Sequence, residues 1–135
     1  MQVYKKILVT IDCSPVDDAI LRHVAALARQ NDAQVYLLHV VHSHTLDQDR
    51  ALREQAQMCL ETYRATLQAQ GVQAHLAIRS GEPDTEILDE IGAKDYDLVA
   101  MATHGHTFLG DLLFGSVSHS LKHKIGIPLL LLKSE

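Results

Sequence analysis

The sequence has no tryptophan, and aromatic residues make up only 4% of its 135 positions, so any core must be built from aliphatic side chains. It has just two cysteines, Cys13 and Cys59. They are too few and too far apart in sequence for a disulfide framework or a metal knuckle, and both are expected to be small buried residues. No apolar run approaches the ~20 residues that a membrane-spanning helix requires. Basic residues are in the minority, 12 against 17 acidic, for a net charge of -5. That balance excludes a general nucleic-acid or anionic-membrane surface, so neither nucleic acid nor membrane is expected as a partner. Met1 leads directly into Tyr4-Lys5-Lys6-Ile7 and a short strand, with no secretory leader pattern, and a cytoplasmic location is expected. A Walker A sequence is missing, and with it the P-loop lysine of phosphoryl transfer. A G-x-S-x-G elbow is missing too, so no Ser/His/Asp set can be assembled around one. No catalytic residue is assigned. Any hydrolysis would rely on Asp12 or a nearby histidine orienting water, and is expected to be slow.

What is present is 47% hydrophobic residue content, enough for one domain over residues 1–135 with a sizeable core. Lys6-Ile7-Leu8-Val9-Thr10-Ile11 is an almost continuously apolar run, the pattern of a central parallel strand covered on both faces. Asp12-Cys13-Ser14-Pro15 breaks it. Ser14 suits an N-cap, Pro15 the first helical position, and Asp17 and Asp18 the positive end of the helix dipole. Ile20, Leu21, Val24, Leu27 and Ala28 form that helix's buried stripe. Gln34 to Val41 reads as a second strand, and Leu46 to about Gln70 as a long helix stopped by Gly71. Val72 to Arg79 alternates in character, as a strand nearer an edge would. Gly81-Glu82-Pro83-Asp84 opens a shorter helix, and Asp97 to Met101 is a fourth strand. A last helix is expected over roughly Ser116 to Lys124, and a fifth strand over Pro128 to Leu132. Strands alternating with helices describe an α/β fold: an open, doubly wound, Rossmann-like parallel sheet with right-handed crossovers.

In such sheets ligands bind outside the carboxyl ends of the strands, where connections diverge to opposite faces. Asp12 stands after the first strand, where a carboxylate can accept hydrogen bonds from a ribose diol, or simply cap the helix that follows. After the fourth strand comes Ala102-Thr103-His104-Gly105-His106, continuing to Gly115-Ser116-Val117. Strand, glycine-containing loop and helix start together collect backbone N–H groups around an anion. Gly105 and Gly115 permit close approach, and Ser116 can cap the helix while offering its hydroxyl to a phosphate.

These features resemble the universal stress protein family over the whole length. The matching stretches are Lys5 to Val9 leading to Asp12 and Ser14, Leu37-Leu38-His39-Val40, Gly81-Glu82-Pro83, Asp97 to Met101, and Pro128 to Leu132. The nucleotide-binding branch of that family carries G-x2-G-x9-G-[S/T] after its fourth strand. Gly105, Gly115 and Ser116 fill the last three positions with the nine-residue spacing intact, and Ala102 stands at the first glycine. The resemblance implies strand order 3-2-1-4-5 and an adenine nucleotide as ligand, ATP or else ADP or AMP, with Mg²⁺ held by phosphate oxygens. It implies that Asp12 holds the ribose, that the Val40 backbone meets the adenine edge, and that Ala102 lies beside the ribose or first phosphates. Gly105, Gly115, Ser116 and Val117 would hold the phosphates, and His106 stands where the family often has a basic residue near them. Val9, Val40 and Met101 can line an apolar adenine slot. A methyl group at Ala102 either fits or crowds the nucleotide.

The implied function is a stress-response or regulatory protein that binds a nucleotide without fast catalysis. The alternative is a nucleotide-free dimeric stress adaptor. A third reading comes from the nine histidines, because His42 and His44, His104 and His106, or His119 and His123 could bind a transition metal. A homodimer is expected through Pro128 to Leu132, since four consecutive leucines leave an apolar strand edge that a second copy can pair.

Overall fold

Aliphatic runs without a polar face need cover on both sides, and the fold supplies it. The computed structural model describes residues 2–104, 121 and 124–134. Its elements run β1 (Lys6–Thr10), α1 (Asp17–Asn31), β2 (Gln34–Val41), α2 (Leu46–Ala69), β3 (Ala74–Ser80), α3 (Pro83–Ala93), β4 (Leu98–His104) and β5 (Leu129–Ser134). The strands form one parallel sheet in the order β3-β2-β1-β4-β5, as the family resemblance implied. The last helix expected from the sequence lies outside the described residues apart from Leu121 and Lys124. Among the described residues, no helix is long and apolar enough to cross a membrane.

Alternate residues of each strand serve the two faces. Ile7, Val9 and Ile11 of the β1 run, Val35 and Leu37 of β2, and Ala100 and Ala102 of β4 pack with Ile20, Val24, Leu60 and Leu67 of α1 and α2. Leu8, Leu38, Val99 and Met101 form the second core with Ile87 of α3, Tyr96 and Leu121. Each fully buried aliphatic side chain contributes roughly 1.5–3 kcal/mol of transfer free energy, which is how a core with so few aromatics suffices.

Several boundaries differ from the sequence reading. β4 continues through Ala102 and Thr103 to His104, because those residues keep pairing with Leu132, Lys133 and Ser134 of β5. α1 starts later than expected. Val16 rather than Ser14 is its N-cap residue, and no side chain caps it there. The Ser14 hydroxyl donates instead to Asp12 Oδ2 at 2.8 Å. Gly71 does end α2, at φ 81°, with the Val72 N–H returning to the Leu67 carbonyl at 2.9 Å.

A buried charge network closes the α3 face. Glu90 is 3% exposed and accepts hydrogen bonds from Arg79 Nε at 2.9 Å and from the Tyr96 hydroxyl, with Lys94 Nζ at 3.1 Å. Burial pushes its carboxyl up, but Tyr96, Arg79 and Lys94 outweigh that and hold it below the ordinary glutamate value. The same environment drives the Tyr96 phenol upward, through burial first and the Glu90 charge second. A depressed carboxyl contributes stability that is present above its unfolded pKa and lost as pH falls through the folded one. Glu90→Gln is therefore expected to cost about 2 kcal/mol at neutral pH and to flatten the acid limb of stability below the usual value of 4.5. Urea denaturation of both proteins across pH 3–7 measures this.

Candidate functional site

The carboxyl edge of the sheet is set by register. Val9 lies level with Leu37 on β2 and Ala100 on β4. Three residues further on, the chain at Asp12 leaves the sheet level with Val40 and Thr103. Asp12, Val40 and the end of β4 thus share one edge, where β1 and β4 are neighbours in the sheet though far apart in the chain.

The turn that presents Asp12 is held by a carboxylate one helical step away. Asp17, the first residue of α1, is 1% exposed. Its Oδ1 accepts the N–H of Asp12 at 2.9 Å, and its Oδ2 accepts the N–H groups of Cys13 at 2.7 Å and Ser14 at 3.2 Å. The Tyr63 hydroxyl of α2 also donates to Oδ2, at 2.9 Å. Burial raises the Asp17 carboxyl above the ordinary aspartate value, and the backbone and phenol donors only partly oppose it. Tyr63 is pushed up in turn, by burial and then by the carboxylate it faces.

Within this turn Cys13 adopts φ 61°, a left-handed conformation that side-chain-bearing residues seldom take. Two further contacts fix the strand end. The Ile11 N–H donates to the Leu38 carbonyl at 2.7 Å, and His39 Nδ1 donates to the Ile11 carbonyl at 2.7 Å.

Cys13 and Cys59 are joined by a disulfide, with Cα atoms 6.1 Å apart. This corrects the expectation that both are simply small buried residues: each is half-buried against the α1/α2 core. The physical reason is that α2 packs alongside α1, against the same face of the sheet. Cys59 and Tyr63, one helical turn apart, both meet the turn after β1.

The adenine slot read from sequence is also corrected. Val40 and Met101 belong to the α3-side core, whereas Val9 is fully buried on the opposite face with α1 and α2. One slot cannot be lined by all three. Ala102 is buried, and its methyl group packs in the α1/α2 core rather than standing in a loop. Gly105, His106, Gly115, Ser116 and Val117 lie outside the described residues, as do His119 and His123. Among the described residues, no cluster of three or more His, Cys, Asp or Glu side chains is arranged to hold a metal ion. His42 and His44 do meet, ring edge to face at 5.5 Å, and His42 Nδ1 reaches the Gly81 carbonyl at 3.3 Å.

A model of the universal stress protein family matches residues 3–133. The chain belongs to that family. A universal stress protein of Methanocaldococcus jannaschii is 30% identical, over 97% of this chain and 83% of its own length. The solved structure of hypothetical protein MJ0577, a universal stress protein from the same organism, superposes with a TM-score of 0.85 at 29% identity, covering 98% of both chains. A universal stress protein from Archaeoglobus fulgidus, solved in complex with dAMP, shares the fold at a TM-score of 0.71 and 24% identity, over 96% of this chain and 98% of that one.

Within the universal stress protein fold, this chain's turn after β1 depends on a side chain that the sequence reading credited only with opposing a helix dipole. Asp17→Ala leaves three turn N–H groups and the Tyr63 hydroxyl without their acceptor. It is expected to cost about 2–3 kcal/mol and to speed amide exchange at Asp12, Cys13 and Ser14 selectively. Denaturant melts combined with hydrogen exchange by NMR check both parts.

Proposed function

We propose that this chain binds an adenine nucleotide, ATP or else ADP or AMP, at the carboxyl edge between β1 and β4. It acts as a stress-response or regulatory module rather than a catalyst with fast turnover. The observation that carries this reading is the turn after β1, in which Asp12 is presented at the sheet's switch point by an N–H cage on Asp17. A ribose diol needs a carboxylate whose position does not drift, and a caged turn meets that need. A second support is Thr10, the last residue of β1. Its hydroxyl is buried and has no hydrogen-bond partner among the described residues, two positions before Asp12 in the chain. A buried hydroxyl of this kind calls for a polar partner.

The residues therefore fit the group. Asp12 would hold the ribose and the Val40 backbone the adenine edge, with the backbone of Ala102, whose methyl group packs in the core, beside the ribose or first phosphates. Gly105, His106, Gly115, Ser116 and Val117 would surround the phosphates, on the motif spacing in the sequence. The nucleotide supplies phosphate oxygens for Mg²⁺. The dAMP in the Archaeoglobus fulgidus relative is that protein's ligand, and it belongs to the chemical class proposed for this one.

Titration calorimetry with ATP and Mg²⁺ is expected to give a dissociation constant in the micromolar range, on the order of −8 kcal/mol. Asp12→Ala should weaken binding by about tenfold or more through loss of charge-assisted bonds to the diol. Thr10→Val, nearly isosteric, should stabilise the unliganded protein and weaken binding by about 1 kcal/mol. No heat at millimolar ATP would exclude this reading and favour the nucleotide-free adaptor.

The proposed assembly is a homodimer through β5. Leu130 and Leu132 pack on the α1/α2 core and Leu129 on the α3 core, while Leu131 is 45% exposed on the terminal strand of the sheet. Pairing β5 with its copy about a two-fold axis would satisfy the strand edge and cover Leu131. Light scattering at micromolar concentration should report twice the chain mass, and Leu130→Pro should shift the protein toward monomer or unfold it.

A further inference from the structure

We propose that Cys13 and Cys59 form a reversible thiol–disulfide switch, which sets nucleotide affinity by fixing or releasing the turn that presents Asp12. The proposal rests on the nucleotide reading above and adds its regulation. The bond ties the turn after β1 to the middle of α2, across 46 residues of sequence. It is not needed to join α2 to the sheet, because Ala56, Leu60 and Leu67 of that helix are already buried in the core. What it adds is a restraint on one residue, Cys13, adjacent to Asp12 in the chain and held at φ 61°.

A left-handed conformation at a residue with a side chain persists only where its surroundings over-determine it. Two of the restraints on this turn end on α2. One is the cage of turn N–H groups on Asp17, anchored by Tyr63, and the other is the disulfide to Cys59. Opening the disulfide removes one of these ties to α2 and loosens the turn. The turn then samples other conformations in which Asp12 does not face a ribose, and apparent affinity falls in proportion to the competent fraction. Both cysteines are half-buried rather than fully enclosed.

The chemistry is thiol–disulfide exchange with a low-molecular-weight disulfide as oxidant. One cysteine thiolate attacks a sulfur of the oxidant and expels one small thiolate, giving a mixed disulfide. The second cysteine thiolate attacks the protein sulfur of that mixed disulfide and expels the other small thiolate. The cysteine pair loses two electrons and two protons, and the oxidant becomes two thiols. Reduction by a dithiol runs the same steps in reverse.

The test uses the full chain equilibrated with oxidised glutathione or with dithiothreitol. Intact mass should show a loss of two hydrogens without an adduct in the first case, and two titratable thiols in the second. ATP affinity should be about three- to tenfold weaker in the reduced protein. The double variant Cys13→Ser/Cys59→Ser, which leaves no thiol in the pair to form a glutathione adduct, should match the reduced protein and ignore the redox buffer. Persistence of both thiols in oxidised glutathione, or equal affinity in the two states, overturns the switch while leaving the nucleotide site standing. If neither state binds ATP, the nucleotide reading has failed, and amide exchange at Asp12, Cys13 and Ser14 decides the switch alone. Faster exchange on reduction supports it, and unchanged exchange overturns it.

Discussion

A single buried carboxylate holds the turn after β1, on which the candidate site depends. Asp17 replaces water for three consecutive backbone N–H groups and a tyrosine hydroxyl. The chain must reverse between β1 and α1 within a few residues, and those N–H groups are left without a regular secondary-structure partner. Satisfying them from the first residue of the following helix fixes the turn from inside. The cost is an ionised group with almost no solvent. Its donors are neutral dipoles, so burial prevails and the carboxyl rises above its ordinary value.

Glu90 shows the opposite balance on the other face of the sheet. It is as deeply buried as Asp17, but Arg79 and Lys94 bring positive charge to it and its carboxyl falls. The pair illustrates how the type of partner, more than burial, sets the sign of a shift. It also separates two roles. Glu90 joins α3, Tyr96 and β3, well within the scaffold, whereas Asp17 shapes a turn at the ligand edge. Acid titration acts on them with opposite sign, so scaffold and turn respond differently to pH.

The candidate site draws on residues far apart in the chain. Asp12 follows β1, and the glycine motif's loop follows β4 some ninety positions later, yet β1 and β4 are neighbours in the sheet. A parallel sheet of this order brings two strand ends together without any direct contact between them in sequence. Tyr63 and Cys59 add a third remote element, α2, which reaches the same turn from above. The carboxyl edge of the sheet is thereby tied to a helix that carries no part of the glycine motif.

Much of this was legible from the residues. Uninterrupted runs such as Ile7-Leu8-Val9 and Leu98 to Met101 demand cover on both faces, and that demand alone implies a parallel sheet with crossing helices. The motif spacing from Gly105 to Ser116 and the placement of Asp12 pointed to the family that the comparison then showed. Local pattern could not say which face a fully buried residue serves. Val9 and Met101 look alike in sequence, yet the pleat and the register send them to opposite cores. Nor could it say that Ala102 still pairs with Leu132, since strand length is decided by the neighbouring strand. Asp17 reads as an ordinary dipole-complementing acid, and Cys13 and Cys59 as unrelated small residues. Their partnership depends on where a 24-residue helix lies against a turn more than thirty residues before it. Periodicity and composition determine what must be buried and what must turn; only the packing of whole elements decides which side chains then meet.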